Sequence, residues 1–149
     1  MGDKGVTYIA KFNKLMAGCQ QYGLTDRVEF IDYVNERQLV VFYQQAAALV
    51  YPSLIEGFGI PPLEAMACGV PVIVSDIPIF REIYGDVPIY VNLGSPDSWA
   101  LAFKQLANEP YVAKKIALGQ KKSQEYSKER MCRELFHAIT ALWPNHDNA

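Results

Sequence analysis

The segment 52–71 constrains this chain more than any other, because its residues dictate a tight loop that leads directly into a helix. Gly57 and Gly59 allow a positive φ and a close approach of the backbone to a ligand. Pro61 and Pro62 suit the first positions of a helix, where a missing N–H costs little. The free N–H groups at the start of that helix, together with its dipole, predict a site for a phosphate or diphosphate.

Two glutamates bracket this loop. Glu56 precedes the glycines, and Glu64 follows eight positions later, inside the predicted helix. Ionised carboxylates only accept hydrogen bonds, so the pair suits a ligand that carries hydroxyl groups. Simpler interpretations stand beside this one: Glu64 can be a favourable contact with the helix dipole, Glu56 a solvated surface carboxylate, and the glycines a plain turn.

Helical and short apolar patterns alternate around this segment. Helical periodicity predicts helices at 6–22, 36–46, 62–68 and 96–108, and over 111–143 with a break near Gly119 and a restart at Ser127. Short apolar runs predict strands at 28–31, 48–51, 71–75 and 89–91, and the tail 144–149 is expected to fray. This alternation implies a parallel sheet covered on both faces, which binds ligands at the carboxyl ends of its strands. The loop 53–61 follows a strand and lies in that location.

Composition excludes several classes of protein. With 149 residues, half of them apolar, the chain can bury a core without disulfides. A net charge of -2 argues against nucleic acid as a partner. No apolar run reaches the roughly 18 residues of a membrane span, and the N-terminus does not resemble a signal peptide. Three scattered cysteines and two histidines near the C-terminus supply no metal site and favour a reducing, cytoplasmic location.

The segment 52–75 resembles, almost without interruption, the signature of the retaining GT-B glycosyltransferases of the glycosyl transferases group 1 family. The hallmark of that family is E-x7-E, which Glu56 and Glu64 match, around G-F-G and followed by P-L-E-A-M-A-x-G-x-P-V-I. The resemblance implies an α/β fold, namely the C-terminal half of a GT-B fold: a Rossmann-like parallel sheet with helices on both faces that lacks its first two strands. Residues 1–149 would then form a single partial domain that binds the nucleotide-sugar donor.

The resemblance also implies the role of each glutamate. Glu56 would be the catalytic residue and would contact the donor sugar near its hydroxyls at positions three and four. Glu64 would hydrogen-bond the ribose hydroxyls, and Leu63 would lie beside the ribose or the base. No cofactor and no metal ion is implied, since the nucleoside diphosphate sugar is a substrate.

Further donor contacts are implied through the backbone. The amides expected to hold sugar hydroxyls and donor phosphate are those of Gly57, Phe58, Gly59 and Ile60. Tyr33 and Val34 fall where the family contacts the base through a backbone group. The stretch 75–82 looks like that of bacterial mannosyltransferases that act on polysaccharide precursors, which makes GDP-mannose the first expected donor.

Parts of the family pattern are absent. An Arg and a Lys that neutralise the diphosphate would lie upstream of the opening helix, and the N-terminal lobe with its acceptor site would be missing as well. We therefore expect the chain to be a fragment, inactive alone, of a hexosyltransferase. A non-catalytic nucleotide- or sugar-binding module is the alternative, and an epimerase or phosphorylase ranks last because those relatives lack the E-x7-E pair.

The missing strands have a topological consequence. In the usual order 3-2-1-4-5-6, residues 28–31 form strand three and residues 48–51 form strand four, with a gap between them. Unpaired backbone in that gap is unfavourable, so we expect 28–31 to pair with 48–51 or with a second copy of the chain.

The lysines between 114 and 128 form a solvated helix face, so any membrane contact is at most peripheral, at the inner face of the membrane.

Overall fold

The computed structural model describes residues 4–142, and the side chains from residue 10 onward. The chain divides into two compact units, residues 1–35 and 36–149. The elements in order are α1 (Lys4–Gln21), a short 3₁₀ turn (Thr25–Arg27), α2 (Glu36–Gln45), β1 (Leu49–Tyr51), α3 (Ile60–Ala67), β2 (Val72–Ser75), α4 (Pro78–Tyr84), β3 (Ile89–Val91), α5 (Pro96–Gln105), α6 (Glu109–Gln124) and α7 (Lys128–Leu142). The predicted fraying of 144–149 concerns residues outside the described range.

The first unit contains α1 and the segment that follows it. Gly23 ends the helix with a φ of +62°, and the amide of Leu24 donates to the carbonyl of Cys19 at 2.8 Å. The prediction of a strand at 28–31 is wrong, since these residues form no β-ladder. The ring of Phe30 instead packs edge-on against Phe12 of α1, with centroids 4.9 Å apart. An apolar run can satisfy such a helix contact without entering a sheet.

The second unit is built on a parallel sheet of three strands in the order β1-β2-β3. Side chains alternate across the central strand: Val72 and Val74 join the core cluster that contains α3 and α4, while Ile73 packs with Ala102 of α5. Helices thus cover both faces, which confirms the predicted α/β class.

The predicted pairing between 28–31 and 48–51 is wrong, because among the described residues β1 pairs with β2 alone. Val50 points to the face opposite α3 and keeps 38% of its surface exposed. Strand β1 is therefore an edge strand, and its three-residue length leaves few backbone groups unpaired.

The contact between α3 and α6 explains a second correction. The sequence predicts a break near Gly119, but α6 continues through this buried residue and ends at Gln124. A Cβ atom at Gly119 would lie 3.1 Å from Cγ of Met66 in α3. The glycine therefore permits close packing between two helices, and the break falls at 125–127 instead.

Two helices differ from those predicted from the sequence. Helix α4, which the sequence analysis does not predict, begins at Pro78, a residue favoured in a first helical turn. Helix α5 ends at Gln105 and not at 108, because Asn108 caps the next helix by accepting a hydrogen bond from the amide of Tyr111 at 3.1 Å.

Candidate functional site

The loop between β1 and α3 starts at the carboxyl end of β1, as predicted. The amide of Ser53 donates to Oγ of Ser75 at 2.8 Å, and Ser75, the last residue of β2, is fully buried. This hydrogen bond fixes the start of the loop to the carboxyl edge of the sheet, where parallel α/β folds bind their ligands.

Glu56 lies in this loop and is half-buried. Its Oε1 accepts hydrogen bonds from the hydroxyls of Ser53 at 2.7 Å and Tyr51 at 2.8 Å. These two donors, Ser53 more than Tyr51, hold the pKa of the Glu56 carboxyl below its ordinary value. Glu56 is therefore ionised at neutral pH, and within the described part of the chain its Oε2 accepts no hydrogen bond.

Glu64 lies on an exposed face in the second turn of α3. The hydroxyl of Tyr43, from α2, donates to Oε2 of Glu64 at 3.2 Å. Burial, followed by the nearby Glu64 charge, raises the pKa of Tyr43 to about 12, so the hydroxyl keeps its proton. Residues 10–142 supply no hydrogen-bond donor to the Oε1 atom of Glu64.

Gly59 is the residue that shapes the turn into α3. It has a φ of +87° and is the N-cap of the helix, which begins at Ile60. A Cβ atom here would lie 2.8 Å from Cε1 of Phe80 and closer still to the hydroxyl of Tyr84. The positive φ predicted from the sequence is confirmed for Gly59, whereas Gly57 does not adopt one.

In the backbone of the loop, two carbonyl groups accept hydrogen bonds, whereas the amides have no acceptor among the described residues. The hydroxyl of Tyr84 donates to the carbonyl of Gly59 and, at 3.2 Å, to that of Phe58. Among the described residues, none accepts a hydrogen bond from the backbone N–H groups of residues 57–60. The next two residues, Pro61 and Pro62, have no N–H group. The predicted set of amides is thus present and available to an anion or a hydroxyl.

Three tyrosine hydroxyls support the site, and the sequence analysis assigned none of them. Tyr51 contacts Glu56, Tyr43 contacts Glu64, and Tyr84 contacts the loop backbone. The spacing Tyr51-x-Ser53-x-x-Glu56 is local and could have revealed the first contact. The other two join residues 21 and 25 positions apart, which no local pattern indicates.

The other predicted contact residues differ in their surroundings. Leu63 is buried in the core with 8% of its surface exposed, and Ile60 is exposed. The ring of Phe58 contacts Tyr126 edge-on, with centroids 5.4 Å apart. Tyr33 and Val34 belong to the first unit, where Tyr33 is 90% exposed, and their contact with the base stays a prediction.

A cleft of about 310 Å³ lies at the carboxyl ends of β2 and β3. Beside it, Arg81 donates from Nε and Nη2 to the two carboxylate oxygens of Asp76, at 2.7 and 2.9 Å. The guanidinium also lies 3.6 Å above the centre of the Tyr90 ring. Arg81 is thus already paired with a carboxylate, so its charge is not available to a diphosphate in the way that an unpaired cation would be. None of the helices over residues 4–142 is both long and apolar enough to span a bilayer.

Comparisons with known proteins agree with this architecture. The model of the glycosyl transferases group 1 family matches residues 8–129. The O-antigen chain mannosyltransferase RfbU of Salmonella typhimurium is 49% identical over 87 residues, which are 58% of this chain and 25% of that protein. The O-antigen chain mannosyltransferase B of Escherichia coli is 31% identical over 116 residues, 77% of this chain and 30% of that protein.

A solved structure shares the fold. Sucrose-phosphate synthase from Thermosynechococcus elongatus superposes with a TM-score of 0.70 at 28% identity, over 87% of this chain and 35% of that one. The chain therefore spans between a quarter and about a third of the length of these three proteins.

Proposed function

The chain belongs to the glycosyl transferases group 1 family, and we propose that it is the donor-binding part of a retaining hexosyltransferase. The reaction moves a hexose from a nucleoside diphosphate sugar to an acceptor alcohol. One observation supports this proposal above the others: two carboxylates, each bound by a tyrosine through one oxygen, flank a loop whose four amides have no acceptor among the described residues. No metal ion and no cofactor take part in the proposed reaction.

The two glutamates bind different parts of the donor. Glu56 is ionised, and its Oε2 has no partner in the described part of the chain, so it accepts hydrogen bonds from hydroxyls of the donor sugar and acts as the catalytic residue. Glu64, on the adjoining helix, accepts from the ribose hydroxyls. A negatively charged pair suits hydroxyl groups and repels phosphate, so the phosphates belong nearer to the amides between them.

The loop amides supply the electrostatic part of catalysis. When the bond to the sugar breaks, negative charge develops on the departing diphosphate. The backbone N–H groups of residues 57–60 are already held in place, because the carbonyl groups of Phe58 and Gly59 are bound to Tyr84. Donors fixed before the reaction stabilise such charge most effectively. The dipole of α3 acts in the same direction.

Mannose is the first donor sugar that we propose, with GDP as its nucleotide. Both relatives described above carry mannosyltransferase in their names and O-antigen chain as their context. Because the chain spans at most about a third of these relatives, we propose that residues upstream of α1 supply the cations for the diphosphate and that a second lobe supplies the acceptor site. The 149-residue chain alone would then be inactive, and sugar transfer by it would refute this part.

The proposed setting follows from the same relatives. Their O-antigen context favours a cytoplasmic reaction with at most peripheral contact to the inner face of the membrane. Association of two copies through the edge of β1 also stays a proposal. Sedimentation as a monomer over a wide concentration range in analytical ultracentrifugation would argue against it.

Calorimetric titration of the protein with GDP, UDP and ADP, each with and without its sugar, tests the donor assignment. Glu64→Ala should weaken nucleotide binding by about 1–3 kcal/mol if Glu64 binds the ribose. Glu109→Ala, which removes an exposed glutamate in the first turn of α6, is the matched control and should leave the affinity unchanged. Equal affinities for Glu64→Ala and the control would remove the ribose contact from the proposal. Binding without transfer by a longer polypeptide that carries both lobes would favour a non-catalytic binding module.

A further inference from the structure

The carboxylate of Glu64 has one hydrogen-bond partner among the described residues, the hydroxyl of Tyr43. Tyr43 comes from α2, 21 positions earlier in the chain, and α2 belongs to the same compact unit as α3. Its ring is buried in the core cluster with 8% of its surface exposed. A buried tyrosine thus donates a hydrogen bond to a glutamate that is otherwise exposed.

We propose that Tyr43 is a positioning residue that orients Glu64 for recognition of the ribose hydroxyls. This inference rests on the proposed function, in which Glu64 binds the ribose. An exposed glutamate samples several rotamers, and only some of them direct its free oxygen toward a ligand. The hydrogen bond to Oε2 selects one of them and leaves Oε1 for the two neighbouring hydroxyls of a ribose.

The chemistry of Tyr43 suits this role. Its burial and the Glu64 charge favour the protonated hydroxyl, which therefore donates to the carboxylate across the physiological pH range. A buried tyrosine hydroxyl usually finds a partner, so the contact could also serve stability alone. A purely structural contact would change the affinity for every nucleotide equally, whereas a positioning contact affects only those that carry ribose hydroxyls.

The test compares GDP with 2′,3′-dideoxy-GDP on the full chain, in the wild type and in Tyr43→Phe. We expect the wild type to prefer GDP, and Tyr43→Phe to bind GDP about three- to tenfold more weakly while its affinity for the dideoxy nucleotide stays unchanged. Tyr90→Phe is the matched control, since the Tyr90 hydroxyl also donates within the protein, to the backbone carbonyls of Phe80 and Gly85, but contacts neither glutamate. This control should keep the preference of the wild type.

The outcomes separate this inference from the proposed function. If Tyr43→Phe weakens both nucleotides equally, Tyr43 is only structural and the inference is wrong. If Glu64→Ala abolishes the preference for GDP while Tyr43→Phe retains it, the inference fails and the proposed ribose contact stands. If Glu64→Ala retains the preference, the ribose contact itself fails.

A second measurement covers the case in which Tyr43→Phe does not fold in plain buffer. The comparison of GDP with dideoxy-GDP is then repeated for the wild type and Tyr43→Phe in trimethylamine N-oxide, which is excluded from the protein surface and favours the folded state. A reduced preference of Tyr43→Phe for GDP supports the inference. A preference equal to that of the wild type in the same solution overturns it.

Discussion

Replacement of Gly59 by alanine should destabilise the second unit and distort the candidate site together. Gly59 combines two constraints: its φ of +87° lies in the left-handed region, and a Cβ atom would approach Phe80 and Tyr84 too closely. Gly57, two positions earlier, has neither constraint, because its φ is not positive and no atom lies within 4 Å of an added Cβ. The two glycines therefore form a matched pair within one loop.

The expected magnitude has two parts. An alanine in the left-handed region costs about 1–2 kcal/mol relative to a right-handed conformation. The added methyl would also lie 2.8 Å from Cε1 of Phe80, so the ring or the loop must shift, and overpacking of this kind costs about 1–3 kcal/mol. Gly59→Ala should therefore lower the free energy of unfolding by about 2–5 kcal/mol, whereas Gly57→Ala should change it by less than about 0.5 kcal/mol.

Urea unfolding followed by circular dichroism measures both variants under identical conditions. The steric part can be isolated by repeating Gly59→Ala in a Tyr84→Phe background, since the hydroxyl of Tyr84 is the atom nearest to the added methyl. The combined variant should be more stable than the sum of the single effects predicts, by about 1 kcal/mol. Equal stability of Gly59→Ala and Gly57→Ala would refute the reasoning, and strict additivity with Tyr84→Phe would refute its steric half.

Two further predictions concern buried hydroxyl groups. Ser75→Ala leaves the amide of Ser53 without its partner and should cost about 1–3 kcal/mol in urea unfolding, whereas Ser123→Ala, at a more exposed hydroxyl on α6, should cost less; a reversed order would contradict the prediction. The pKa of Tyr43 is about 12 in the folded chain and about 10 in an unfolded one, so the unfolded state loses this proton first as the pH rises. The stability that Tyr43 contributes is therefore complete below pH 10 and is lost as the pH rises toward about 12, with a slope of up to about 1.4 kcal/mol per pH unit. Urea unfolding between pH 9 and 12 should show a shallower decline for Tyr43→Phe, and an unchanged slope would exclude this coupling.

Local patterns predicted much of the fold because the information lies within a few residues. The strands at 48–51, 71–75 and 89–91 are apolar runs bounded by prolines or glycines, and each corresponds to a strand of the structure. The run at 28–31 has the same appearance but forms no strand. Burial against a helix and pairing in a sheet require the same apolar residues, so the run alone could not distinguish them.

Glycines illustrate the same limit. Gly23 and Gly69 end helices, as their positions after apolar periodic segments predict. Gly119 lies inside α6, where its role depends on Met66 from another helix. A glycine that permits close packing and one that ends a helix look identical in a single sequence. The first requires knowledge of the neighbour, which only the fold provides.

The site divides in a similar way. The family assignment drawn from 52–75 is confirmed, because the whole motif is contiguous in the chain. The glutamates and the loop amides come from this motif. The tyrosine hydroxyls that bind them come from α2, β1 and α4, and of these only Tyr51 lies close enough in sequence to be linked with its partner. The hydroxyl of Ser53, which also binds Glu56, is equally local. The roles of Glu56, Glu64, Leu63 and the loop residues stay predictions that the nucleotide titrations can test.

The tyrosine supports have a thermodynamic consequence for any ligand. A flexible loop must be ordered on binding, and this loss of conformational entropy lowers affinity. Here Tyr51 and Tyr84 hold the loop, and Tyr43 holds the adjoining helix, from elements that belong to the core. The ligand therefore binds a loop that is already ordered in the folded protein, and local opening of this loop requires these hydrogen bonds to break. Binding at this site should consequently resemble lock-and-key recognition more than induced fit.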